Sequence, residues 1–239
     1  MTIDTAHLLA AAVVVILGSI VQAASGVGAG FIVVPIVAWI DLSLVPAPMI
    51  FGSMALSGIM SWRERGAIDT QRLPAIFIGL LPGAAAGAWI LKAVPSDNLG
   101  IVFGGMILLA VVLTGSGLSL PLNRITALAG GAVSGAMGAS TGIGAPALAL
   151  LYQHAGGAKV RSTLAVLYSG ASLMILAILA AVGKFTPQDA LAGGALMPAF
   201  LVGYVIADRL RLQLNRATIR PTVLGLSTAA AIALLVKSL

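Results

Sequence analysis

SGVGAG at Ser25 to Gly30 and STGIGAP at Ser140 to Pro146 interrupt the two apolar stretches that are too long to be a single membrane helix, roughly His7 to Trp39 and Ile125 to Gln153. Glycine lowers helix propensity by about 1 kcal/mol per residue, whereas proline in a first turn costs little because its missing N–H would have had no partner there. Each stretch therefore reads as two short helices joined by unwound, glycine-rich backbone. Inside hydrocarbon such backbone survives only where protein or a water-filled cavity covers it, so the two interruptions also mark where a ligand would sit.

Around them lie six apolar runs, each near the length of one crossing: Pro48 to Trp62, Leu73 to Val94, Asn98 to Thr114, Val160 to Gly183, Ala190 to Ala207 and Ile219 to Val236. The composition agrees, with 59% hydrophobic and 8% charged residues in 239 and a mean hydropathy of +1.09, where a soluble domain carries about 25% charged residues. We expect an all-α integral membrane protein of about eight to ten membrane segments, which uses up the chain and leaves no soluble domain. That excludes a soluble catalytic, nucleotide-binding or nucleic-acid-binding unit, and the net charge of +6 is read as topology. No cleaved signal peptide is expected, because no Lys or Arg precedes Arg63. Zero cysteines and two histidines, His7 and His154, exclude thiolate chemistry and leave little for a metal site, so no metal or cofactor is expected.

A shift of 116 positions superimposes the two glycine-rich stretches, Gly26 on Gly142, Gly28 on Gly144 and Ala29 on Ala145, and with them Ser53 on Ser169, Ala55 on Ala171, Pro82 on Pro198, Gly87 on Gly203 and Ile90 on Ile206. The shared G-x-G-A and the paired prolines point to a duplication, residues 1–118 forming a first membrane repeat and 119–239 a second. Lys and Arg positions decide the relative orientation. If each broken stretch crosses once, the 13 basic residues show no bias. If each crosses an even number of times or re-enters, Arg63, Arg65, Arg72, Arg124, Lys159, Arg161, Arg209, Arg211, Arg216 and Arg220 collect inside, and only Lys92, Lys184 and Lys237 stay outside. The second split is what the positive-inside rule requires, so two inverted repeats are expected, with both termini outside.

A first apolar helix followed by a glycine-rich S/T-G-[VI]-G-A joint and a proline, Pro35 in one copy and Pro146 in the other, repeated in the two halves of a chain this long, resembles the TauE/SafE family of sulfite exporters and related sulfur-anion transporters. The family's usual joint is closer to G-x-G-G-G, and here Ala29 and Ala145 stand at glycine positions. The resemblance covers essentially the whole chain. It implies a multi-pass transporter in the inner membrane of a prokaryotic cell that moves sulfite, thiosulfate or an organosulfonate as an exporter or facilitator, not an enzyme.

The chemistry of the residues agrees with an anion carrier. A helix N-terminus offers unpaired N–H groups and about half a positive charge, which suits an oxyanion without a lysine in the membrane. The expected substrate-binding set is Gln22, Ser25, Gly26, Gly28, Gly30 and Ser53 in the first half, with Ser140, Thr141, Gly142, Gly144 and Ser169 in the second, and Ser19 close by. Asp4, Asp41, Glu64, Asp69, Asp97, Asp189 and Asp208 all fall at or beyond segment ends. No carboxylate is then available mid-membrane for a cation or a proton relay.

Competing readings exist for individual residues. Gly83, Gly87, Gly130, Ser134 and Gly138 fit small-xxx-small helix packing, Ser53 and Ser169 each fit a bond to a carbonyl one turn back, and Tyr168 and Tyr204 fit ordinary core aromatics. His154, beside Lys159 and Arg161, reads as a loop residue, and Pro82 and Pro198 as kinks. The alternative functions are an anion channel, or an integral membrane subunit or enzyme of a larger complex. The expected partners are the lipid bilayer and the small anion, with no nucleic acid, and sodium coupling, proton coupling and a homodimer stay open.

Overall fold

The computed structural model describes residues 4–25, 30–63, 65–117, 120–153, 155, 157–210 and 216–238. Among these there is no strand, and ten α-helices carry the fold: α1 Thr5–Ser25, α2 Gly30–Ile40, α3 Ala47–Arg63, α4 Leu73–Ala93, α5 Leu99–Gly115, α6 Arg124–Thr141, α7 Ala145–Leu151, α8 Gly157–Ala181, α9 Pro187–Arg209 and α10 Arg216–Ser238. Within the described residues α1, α4, α8, α9 and α10 are long and apolar enough to cross a membrane, and α5 is a shorter apolar helix. The chain is a multi-pass membrane protein.

Local chemistry sets several helix ends. Asn123 caps α6, its Oδ1 accepting from the Thr126 N–H at 2.9 Å while Thr126 Oγ1 accepts from the Asn123 N–H at 3.0 Å. Thr186 and Asp189 form the same reciprocal box at the start of α9. These boxes satisfy N–H groups that a first turn leaves without partners.

Polarity is arranged for lipid outside and polar contacts inside. Leu9, Val13 and Leu17 on α1, Ile125 on α6 and Leu191 on α9 face outward, while Ser19, Gln22, Ser57, Ser134, Ser140 and Thr141 are buried. Trp39, Trp62 and Trp89 are exposed near helix ends, the position of interfacial aromatic belts. With no hydrophobic drive between helices in lipid, close approach of backbones holds them together. The most extensive contact, α4 with α6, is made that way: a Cβ at Gly79, Gly83 or Gly87 would collide with the backbone of Leu128, Ala132 or Ala136, and one at Gly131 or Gly135 with that of Ile76 or Leu80.

Most of the other extensive helix contacts also cross between the halves of the chain. While α6 of the second half packs on α4 of the first, α1 of the first packs on α9 of the second, with Gly203 against the Ile16 carbonyl and Ser19. Likewise α3 packs on α9 and α8, α4 on α8, and α5 on α10.

Polar contacts fix which ends lie together. His7 Nδ1, at the start of α1, is 3.4 Å from Asp41 Oδ2, just past α2, and Lys237 Nζ, in the last turn of α10, donates to the Trp39 carbonyl at 3.0 Å. The start of α1 and the ends of α2 and α10 therefore share one end of the bundle. Burial alone would raise the Asp41 carboxyl, but the Ser43 hydroxyl and N–H, with His7, hold it below the usual carboxylate range. At the opposite end Arg63 Nη1 pairs with Asp208 Oδ2 at 2.9 Å and donates to the Tyr204 hydroxyl at 2.8 Å, and Lys159 Nζ pairs with Asp69 Oδ2 at 3.1 Å. This end gathers the tips of α3 and α9, the start of α8 and the α3–α4 connection.

Neither α2, about 16 Å long, nor α7, about 10 Å, spans a hydrocarbon core of about 30 Å. α2 returns toward the end where α1 begins. α7 runs back along α6, since Ser134 Oγ bonds to the Gly144 carbonyl at 2.8 Å and a Cβ on Gly130 would meet the Leu151 side chain.

Candidate functional site

α6 stops at Thr141 because Gly142 adopts φ +82°, a left-handed conformation that costs glycine no Cβ clash, while its N–H still bonds to the Gly138 carbonyl at 2.8 Å. Gly144 then leads into α7 with no side-chain cap and Pro146 in the first turn. In the first half α1 ends at Ser25 and α2 begins at Gly30. Gly30, the last residue of the first glycine-rich stretch, meets Gly142 of the second here: a Cβ on Gly30 would stand 3.2 Å from the Gly142 carbonyl oxygen.

A cavity of about 90 Å³ opens beside this contact, lined by residues of α1, α2, α3, α6, α8, α9 and the α6–α7 break. At about 10–15 Å³ per water it has room for several waters or a small hydrated oxyanion. Its polar lining is Gln22, Ser53, Ser57, Ser134, Tyr168 and Ser172, with the glycines Gly30, Gly138, Gly142 and Gly144 and an apolar wall that includes Val33, Ile50, Ile175 and Phe200. None of these side chains is ionisable in the carboxylate, ammonium or guanidinium sense. Neutral hydroxyl and amide groups of this kind can hydrogen-bond a small polar ligand, and none of the named lining side chains carries a fixed charge.

Of the residues expected from sequence, Gln22, Gly30, Ser53, Gly142 and Gly144 line the cavity. Gly26 and Gly28 lie outside the described residues, and Ser25 is described only as the last residue of α1. Ser140 and Thr141 are fully buried away from it, their hydroxyls donating to the carbonyls of Ala136 and Met137 at 2.7 and 2.8 Å. The hydroxyl oxygens of Ser19 and Ser169 are buried outside the lining as well. Ser53 does bond to a carbonyl one turn back, that of Ile50 at 3.0 Å, so its hydroxyl proton is already committed.

Other lining residues did not stand out in the sequence. Ser57 on α3 and Ser172 on α8 make no hydrogen bond within the described residues, which leaves both hydroxyls available to a ligand. Ser134 and Gly138, which fit a packing stripe, face the cavity and the α6–α7 break, while Gly83 and Gly87 do pack. Tyr168 lines the cavity, whereas Tyr204 sits under the Arg63 guanidinium at the bundle end. His154 lies outside the described residues.

A family model described as sulfite exporter TauE/SafE matches residues 10–234, nearly the whole chain, and the chain belongs to that family. No curated protein and no solved structure matches it.

Proposed function

We propose that this TauE/SafE family member carries a small sulfur-containing oxyanion, sulfite, thiosulfate or an organosulfonate, across the inner membrane of a prokaryotic cell, binding it in the cavity beside Gly30 and Gly142. The observation that carries this reading is the uncharged, hydroxyl-lined cavity at the meeting point of the two glycine-rich stretches. Ser57 and Ser172 are the side-chain donors to the anion, supported by the first-turn N–H groups of α2, and Gln22 and Gly144 shape the wall. With an inside-negative potential, each negative charge exported gains about 2.3 kcal/mol per 100 mV, so efflux needs no coupling ion.

The carrier works by rocking two inverted repeats, 1–118 and 119–239, about the cavity. Three observations support this. Under the 116-residue shift α1 to α5 correspond in order to α6 to α10, and the contact of α4 with α6 has its counterpart in that of α9 with α1. The end of α3 and the start of α8, its counterpart, share one end of the bundle. That end also holds Arg65, Arg72, Arg124 and Arg161, and by the positive-inside rule it is cytoplasmic, with both termini outside. Because the chain has no cysteine, Arg65→Cys and Lys184→Cys can be labelled without background. They are expected to react with an impermeant maleimide from opposite sides of the membrane. Reaction of both from one side would end the inverted arrangement.

The substrate is tested by a melting panel on the detergent-purified protein with sulfite, thiosulfate, sulfate, organosulfonates and carboxylate controls, with and without sodium. A ligand at 100 times its Kd adds about 2.7 kcal/mol of stability, a visible shift. The expected result is a shift confined to sulfur oxyanions. Ser57→Ala and Ser172→Ala are each expected to lose about 1–3 kcal/mol of that binding, roughly 5- to 150-fold in affinity. A panel without any shift would remove the anion site.

A further inference from the structure

Among the described residues two ion pairs join the first half of the chain to the second, and both lie at the basic end of the bundle. Arg63, at the tip of α3, holds Asp208 in the last turn of α9, and Asp69, in the α3–α4 connection, holds Lys159 in the first turn of α8. At the other end the halves are tied by a different kind of contact, the Lys237 ammonium on the Trp39 carbonyl.

The cavity is set away from the basic end. Its lining runs from Met49 to Ser57 on α3 and from Tyr168 to Ile175 on α8. The next turn toward the basic end is closed by buried apolar side chains of one cluster, Met60 on α3 and Ala165 on α8. The two ion pairs lie just beyond this plug, on the same helices and their connections.

We propose that Arg63–Asp208 and Asp69–Lys159 are a latch that holds the basic mouth of the cavity shut, and that both pairs part when the cavity opens to that side. The latch rests on the transporter reading above. A switch needs two arrangements of similar free energy, and the pairs suit that need. Arg63 and Asp208 are about half exposed, where an ion pair contributes little net stability and parts readily. Asp69 is buried and held twice, by Lys159 and through its own N–H, which donates to Thr163 Oγ1 at 2.9 Å, so it fixes the start of α8 more firmly. Opening moves α8 and α9 away from the α3 tip and withdraws Ala165 from Met60.

The test uses the full chain, cysteine-free apart from a reporter in the cavity, Ser57→Cys or Ser172→Cys, in sealed membrane vesicles of both orientations. An impermeant maleimide measures access from each side. Asp208→Asn and Asp69→Asn together are expected to raise reporter labelling from the basic end several-fold and to lower it from the other. Exchanging the charges, Arg63→Asp with Asp208→Arg, is expected to bring labelling back toward the parent value. Unchanged labelling at both reporters overturns the latch. So does an equal rise from both ends, which means general loosening of the bundle. The readout needs no substrate, so a silent melting panel beside a side-specific labelling change would sink the anion reading and leave the latch standing.

Discussion

Replacing Gly144 with valine is expected to abolish the sulfur-oxyanion melting shift and vesicle transport while leaving a folded protein. A Cβ at this position would stand 2.8 Å from the Ser134 carbonyl oxygen and 2.9 Å from Ser134 Oγ. One of these neighbours is backbone and cannot rotate away, and the other is the hydroxyl that bonds to the Gly144 carbonyl itself. The break between α6 and α7 must then move, and with it the cavity wall that Gly142, Gly144 and Ala145 supply. Overpacking of this kind costs about 1–3 kcal/mol, which a protein of ordinary stability survives. Binding geometry is less forgiving, because the donors serve the anion only at hydrogen-bond distance. The measurement is the melting panel on Gly144→Val beside the parent, with a uptake or efflux assay in vesicles. A parent-sized shift in the variant would show that the α6–α7 break plays no part in binding.

The architecture was readable because its determinants are local. Length, hydropathy and glycine punctuation give helices and their interruptions, and the break at residues 142–144 falls inside STGIGAP. The Lys and Arg split carries the inverted-repeat proposal, while the His7–Asp41 and Lys237–Trp39 contacts put the start of α1 and the ends of α2 and α10 at one end of the bundle. The lining was less readable, because a serine in an apolar helix carries no mark of its direction. Ser53 and Ser169 match under the repeat shift, yet Ser53 lines the cavity and Ser169 does not, and α8 contributes Ser172 in its place. Gly131 and Gly135, like Ser134 and Gly138, are spaced by four. One pair faces α4 and the other the cavity and the break, a difference set by which helices lie on either side of α6. The ion pairs were out of reach for the same reason, since Arg63 and Asp208 meet only once α3 and α9 are packed.

Gly83→Val is expected to damage the protein in the opposite way, by failing to fold or melting far below the parent with the anion site otherwise intact. Gly83 sits at the middle of the α4 face that packs on α6, and a Cβ there would overlap the Ala132 carbonyl, carbon and Cα. All three are backbone atoms within a helix, so relief requires the two helices to separate. Separation also lifts Gly79 and Gly87 from Leu128 and Ala132 or Ala136, and Gly131 and Gly135 from Ile76 and Leu80. In lipid these van der Waals contacts are the attraction itself, with no hydrophobic term to take over when they loosen. The loss should reach or exceed the upper part of the overpacking range, about 3 kcal/mol. Gly105→Ala and Gly194→Ala are the controls, since a Cβ at either meets nothing within 4 Å, and both are expected to melt with the parent. Gly83 is not part of the cavity lining, so whatever Gly83→Val protein can be recovered folded should still show the sulfur-oxyanion shift that Gly144→Val loses. A Gly83→Val variant that melts with the parent would mean that α4 and α6 are held by something other than their glycine contact.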